Sequence, residues 1–168
     1  MSENQLENIH NLIVSEFAKT VEMFDISPSE ARLFAILYIE GTPMTLDQMS
    51  DALGKSKTVV STGIRNLVDQ NLVERVWRKG VRKDLYMADA HLYRKFMNTY
   101  IHKWIDATSR QKQSLKEIEL MLKEDFHTNS NGAESKEIDT LYTRIKDMIT
   151  FHQSIEHAFK EIKPIKQS

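Results

Sequence analysis

A mainly α-helical fold with a small β wing is predicted by three observations. Apolar residues recur at helical spacing through most of the chain. Two helix-sized segments, 46–53 and 56–70, meet at Gly54. Residues 72–87 then alternate, with β-formers on both sides of Lys79-Gly80 and basic side chains crowded around that turn. Short helix, glycine turn, second helix and basic hairpin follow one another as in a winged helix-turn-helix. The long helical segments on either side suit a dimerisation region.

The elements are justified in order. Residues 5–24 carry Leu6, Ile9, Ile13, Phe17, Val21 and Phe24 at helical spacing. Ser27-Pro28-Ser29-Glu30 opens a second helix: Ser27 caps it, Pro28 suits its first position and Glu30 completes a capping box. Leu33, Phe34, Leu37 and Tyr38 form its apolar face, and Gly41 and Pro43 end it. Thr45 and Gln48 make a capping box ahead of 46–53. Ser56 caps the next helix, whose Val60, Ile64 and Leu67 face inward, and Asn71 closes it in the left-handed conformation. Gly63 costs this helix about 1 kcal/mol relative to Ala. Close approach of a second helix or of a DNA backbone explains it, or it is merely tolerated. Asp89 caps a helix with no breaker from Ala90 to Phe126, roughly 50 Å at 1.5 Å per residue. Residues 127–133 read as a polar linker. A last helix spans 134–163, with Ile138, Leu141, Tyr142, Ile145, Ile149, His152, Ile155 and Phe159 on its apolar side, and Pro164 stops it. The expected organisation is 1–26 as an N-terminal dimerisation helix, 27–88 as the winged helix-turn-helix, and 89–168 as long helices for dimerisation and an effector region.

Composition narrows the function. The 168 residues contain no cysteine, which excludes disulfides, thiol catalysis and cysteine-based zinc sites and fits a cytoplasmic protein. No apolar run approaches the ~20 residues of a membrane span, and the first residues lack the features of a signal peptide. The five glycines are scattered, so there is no phosphate-cradling loop, and His152 and His157 share no face that suits a metal. No enzyme, metal or cofactor is expected. The net charge of −1 hides a division. Residues 1–54 hold two basic and nine acidic side chains, 55–83 hold eight basic and two acidic, and 84–168 hold thirteen of each. A positive field confined to one short stretch points to nucleic acid better than the overall charge does.

With Val60, Ile64 and Leu67 inward, Lys57, Thr58, Ser61, Thr62 and Arg65 point outward. These side-chain types reach base edges and phosphates from a groove, and Arg65 suits bidentate pairing with guanine. Ser56 and the N–H groups beside it suit a phosphate at a helix N-terminus. Arg78, Lys79, Arg82 and Lys83 surround the hairpin turn, where they fit over a minor groove or its flanking phosphates. Double-stranded operator DNA is the expected partner.

Leu53-Gly54-Lys55-Ser56-Lys57-Thr58-Val59-Val60-Ser61, with Arg65-Asn66-Leu67 and Leu72-Val73-Glu74-Arg75, resembles the recognition region of MarR-type regulators. Ser61-Thr62-Gly63, Leu67-Val68-Asp69 and Val76-Trp-Arg-Lys-Gly-Val-Arg-Lys-Asp-Leu-Tyr86 are similar to the GbsR-type branch, repressors of glycine betaine synthesis and choline uptake. Ile26-Ser-Pro-Ser and Glu40-Gly-Thr-Pro-Met-Thr45 extend the resemblance to about residues 20–105. It implies a homodimer built on the first helix and the last two. It also implies choline as effector, with glycine betaine as a related candidate, held between the DNA-binding and dimerisation regions.

A quaternary ammonium has no N–H to donate, so ring faces must recognise it, each worth about 0.5–2 kcal/mol. Tyr93, Phe96 (or Met97), Tyr100 and Trp104 recur at helical spacing, and Phe34 and Tyr38 are candidates to approach them, with Phe17 and Phe24. Trp104 and Tyr100 are the first choices. The same stripe also reads as packing. Two further functions compete with a choline-relieved repressor: a sister repressor of broader osmolyte import that ignores choline, and a winged-helix module that binds protein alone.

Overall fold

The computed structural model describes residues 2–128 and 132–162. It contains α1 (Glu3–Glu22), α2 (Pro28–Glu40), α3 (Leu46–Leu53), α4 (Lys57–Asp69), β1 (Val73–Val76), β2 (Leu85–Ala88), a π-helical turn (Tyr93–Asn98), α5 (Thr99–Thr128) and α6 (Gly132–Glu161). The chain divides into two compact units, residues 1–96 and 97–168.

The first unit is organised around α2. Ala31 and Leu33 to Leu37 are all buried, so this helix is apolar on every side, as a central helix must be. The sequence assigned it a single face. It packs against α1, α3, α4 and β2. Ser27 caps it by accepting from the Glu30 N–H, and Gly41 ends it at φ 66°. The Glu30 carboxylate makes no reciprocal cap; it accepts from Asn66 Nδ2 at 2.7 Å and so ties α2 to α4. Thr45 and Gln48 form the expected reciprocal cap of α3. At the end of α4 the Asn71 φ is 59° and the Leu72 N–H reaches back to Leu67 O at 3.0 Å, a left-handed closure that satisfies an end carbonyl.

On α1, Val14, Ala18 and Val21 are buried, whereas Leu6, Ile9, Leu12 and Ile13 are 43–59% exposed. The expected apolar stripe is therefore divided. The 13 residues of α2 span about 20 Å and those of α1 about 30 Å, so α2 covers one part of α1 and leaves the rest open.

β1 and β2 are antiparallel, with Val73 opposite Ala88 and Val76 opposite Leu85. Met44 and Tyr86 exchange two backbone hydrogen bonds, at 2.8 and 2.9 Å, which fasten the hairpin to the segment before α3. Residues 77–84 form the wing loop, longer than the tight turn expected at Lys79-Gly80. A single turn within it runs from Arg78 to Val81, with Gly80 at φ 83°, the left-handed value that favours glycine.

The long helix expected after Asp89 is unbroken through Thr128 but changes geometry near its start. Asp89 accepts from the His91 N–H at 2.8 Å, but the backbone then widens into the π-helical turn before α5 begins at Thr99. Helical structure also enters the expected linker, through Thr128 and from Gly132, while residues 129–131 and Pro164 lie outside the described residues.

In the second unit Trp104 meets Phe159, Lys112 meets Glu156 and Lys123 meets Tyr142. Position rises along α5 as it falls along α6, so the two helices are antiparallel. Ile101, Thr108, Ile149 and Glu156 are buried. Glu156 accepts from both Lys112 and Lys160, which holds its carboxyl at about 2, below the ordinary 4.5. A carboxyl depressed in this way stabilises the fold fully above about pH 4.5 and loses that contribution as pH falls towards 2. Thermal melting should therefore show the α5–α6 pair weakening across this window, and Glu156→Gln should flatten that part of the profile. An identical acid profile for the variant would assign the loss to other carboxylates.

Candidate nucleic-acid interface

The back of α4 seats it on α2. Val60, Gly63, Ile64 and Leu67 are buried. A Cβ at Gly63 would lie 3.4 Å from Leu33 Cδ2 and 3.6 Å from Glu30 Cγ. The helices thus approach closely at Gly63, but at ordinary van der Waals distance, so the packing alone does not require glycine.

The opposite side of α4 is polar and open. Lys57, Thr58, Thr62 and Arg65 are exposed and Ser61 is half-buried. Ser56 caps the helix by accepting from the Val59 N–H at 3.3 Å. The Thr62 hydroxyl donates to Thr58 O at 3.0 Å, so it is partly engaged within its own helix. Val59 adds 45% exposed apolar surface beside these groups, a type of contact that suits a thymine methyl.

The wing loop holds Arg78, Lys79, Arg82 and Lys83, all exposed. An ion pair between Arg75 and Asp84 crosses its base. Asp47, in the first turn of α3, binds Lys57 at 2.6 Å and Lys83 at 2.9 Å. Those two hydrogen-bonded lysines hold the Asp47 carboxyl below its ordinary value. Among the described residues no carboxylate pairs with Arg65, Arg78, Lys79 or Arg82. The open cations therefore form one group and the internally neutralised lysines another.

Sequence reasoning missed three residues of this surface. Asp47 and Asp84 engage candidate or neighbouring cations across loops. Trp77 stands 82% exposed at the start of the wing loop, beside these cations. Its place beside Arg78 was the available signal.

The aromatic candidates fall into two sets. In the first unit Phe34 has no exposed surface and Phe96 is 7% exposed. Phe34 packs against Phe17, Tyr38 and Phe96 at 5.1–6.3 Å between ring centroids, and Phe24 against Phe96 at 5.2 Å. Phe34 and Phe96 thus serve as core, while Tyr38 and Tyr93 are half-buried. In the second unit Trp104 stacks on Phe159 at 5.2 Å and 5°, and Tyr100 lies 6.2 Å from Trp104 at 60°. Trp104 keeps 36% of its surface exposed. Phe159 was legible only as an apolar position of the last helix.

A central buried helix, a capped helix presenting open cations and a basic hairpin define a winged helix-turn-helix fold. The MarR family model matches residues 24–82, which contain the helix-turn-helix and most of the wing. The chain is 28% identical over 88% of its length to the HTH-type transcriptional repressor OpcR of Bacillus subtilis (strain 168), covering 80% of that protein. It is 31% identical to the HTH-type transcriptional repressor GbsR of the same strain, over 59% of this chain and 54% of that one. A crystal structure of a transcriptional regulator superposes with a TM-score of 0.52 at 14% identity, over 91% of this chain and 99% of the other, a likeness of fold alone. The chain thus has a winged-helix fold, and its residues 24–82 are similar to the MarR family.

Two substitutions separate base reading from phosphate contact. Arg65→Ala should weaken operator binding and relax discrimination at one base pair, by roughly 1–3 kcal/mol; unchanged discrimination against random DNA would exclude base reading by Arg65. Lys79→Ala should weaken binding to every sequence and flatten the salt dependence by about one unit, and an identical slope would exclude a phosphate contact there.

Proposed function

We propose that this chain is a homodimeric repressor that binds a near-palindromic operator and controls choline uptake and its conversion to glycine betaine, with choline as inducer. The observation that carries the reading is the outward face of α4 beside the wing. Ser56, Lys57, Thr58, Ser61, Thr62 and Arg65 lie at or along α4, and Arg78, Lys79, Arg82 and Lys83 on the wing loop, tied together where Asp47 pairs with both Lys57 and Lys83, within the segment that resembles the GbsR type. Apolar surface left open on a single chain supports the dimer. Leu6, Ile9, Leu12 and Ile13 on α1 are joined by Leu120 and Met121 on α5 and Phe151 on α6, at up to 64% exposure. A two-fold dimer sets its two α4 helices about one DNA turn (~34 Å) apart.

The stack of Trp104 on Phe159, flanked by Tyr100, supports a quaternary ammonium effector. Trp104 keeps 36% of its surface exposed beside these rings, and an indole is the best cation–π partner for such a ligand. An effector of this kind relieves repression only through its differential affinity for the two conformations of the dimer.

A second reading is the sister repressor of osmolyte import that ignores choline, since the match to GbsR extends over only 59% of this chain. Calorimetric titration with choline and with glycine betaine, alone and with a promoter fragment present, separates the two. Choline should bind and weaken DNA binding, and Trp104→Ala should abolish the response while leaving DNA affinity intact. A normal response in the variant removes Trp104 from the effector site. DNA binding by the wild type with no choline effect favours the sister repressor.

A further inference from the structure

Asp47 connects three segments of the basic surface. Its Oδ1 meets Lys57 Nζ at 2.6 Å and its Oδ2 meets Lys83 Nζ at 2.9 Å. Lys57 is the first residue of α4, and Lys83 lies on the returning arm of the wing, 36 residues from Asp47 in sequence. Asp47 itself sits in the first turn of α3. One carboxylate therefore spends both oxygens on lysines from the two elements assigned to DNA.

These groups are open to solvent, with Asp47 at 42% exposure and the lysines at 62% and 68%. Ion pairs so exposed add little to stability. Their consequence is electrostatic. A cleft of about 350 Å³ is lined by Asp47, Lys57, Arg82, Lys83 and Asp84, so three cations there face two anions. DNA arriving at this surface finds Lys57 and Lys83 already neutralised by a group that sits between them as a phosphate would. Displacing Asp47 leaves its carboxylate unpaired beside the DNA backbone. Only a duplex held in register by further contacts compensates for that repulsion.

We infer that Asp47 is a specificity-determining residue, an internal competitor for phosphate that withholds Lys57 and Lys83 from DNA of arbitrary sequence and releases them on the operator. The inference rests on the DNA-binding reading above.

The test compares wild type, Asp47→Asn, Lys57→Gln/Lys83→Gln and the triple variant on an operator fragment and a random duplex of equal length, across a salt series. Asp47→Asn should bind random DNA about tenfold more tightly, with a salt slope steeper by about one to two units, close to 0.9 for each phosphate newly neutralised. The operator should gain less, so the operator-to-random ratio falls. Melting temperature should not change, and in the lysine-free background Asp47→Asn should have no effect on the slope. An unchanged slope, a parallel change on both duplexes or the same effect without the lysines would overturn the inference. Wild-type protein that binds neither duplex would overturn the DNA-binding reading as well, and so is distinguishable from failure of the Asp47 role alone.

Discussion

The burial of α2 on every side is the constraint on which the first unit depends. Leu33, Phe34 and Leu37 have at most 1% exposure, and the same helix supports α1, α3, α4 and β2. The inward face of α4 is fixed by this contact, through Gly63 against Leu33 and Asn66 against Glu30. Once that face is fixed, helical geometry leaves Lys57, Thr58, Thr62 and Arg65 on the outside. Orientation of the basic groups is thus a result of apolar packing behind them. Buried residues behind the helix determine which side chains face outward.

The two units differ in how complete they are. The first contains a continuous core that reaches from Val14 to Phe96. The second is a pair of long antiparallel helices whose buried positions include Thr108 and the ion-paired Glu156, while Met121 and Phe151 are each 64% exposed. Two helices can bury only the strip along which they touch, and the remaining apolar faces require another surface. Together with the open half of α1, these faces are the surface on which the proposed association between chains rests.

Most of the first unit was legible because its signals are local. Ser27, Thr45 and Ser56 each cap the helix that follows, Gly41 and Gly54 end helices at positive φ, and Asn71 closes α4. Such features need only a few neighbouring residues. What escaped the sequence was set by distant partners. Glu30 reads as the second half of a capping box but is claimed by Asn66, 36 residues away. Asp47 reads as an ordinary acidic first-turn residue, and its grip on Lys57 and Lys83 exists only after the wing has folded back. The aromatic stripe reads as one series, yet Phe96 is committed to the core while Trp104 pairs with Phe159. The π-helical turn at Tyr93–Asn98 has no sequence signal that we can identify.

The most direct measurement is a hydroxyl-radical footprint of the promoter fragment bound to the full chain. Two α4 helices and two wings on a two-fold dimer require two protected segments related by symmetry, one helical turn apart, each flanked by minor-groove protection. A footprint of that form would establish the paired reading heads. Absence of protection, or a single unsymmetrical patch, would contradict the assignment of α4 and the wing to operator recognition by a dimer.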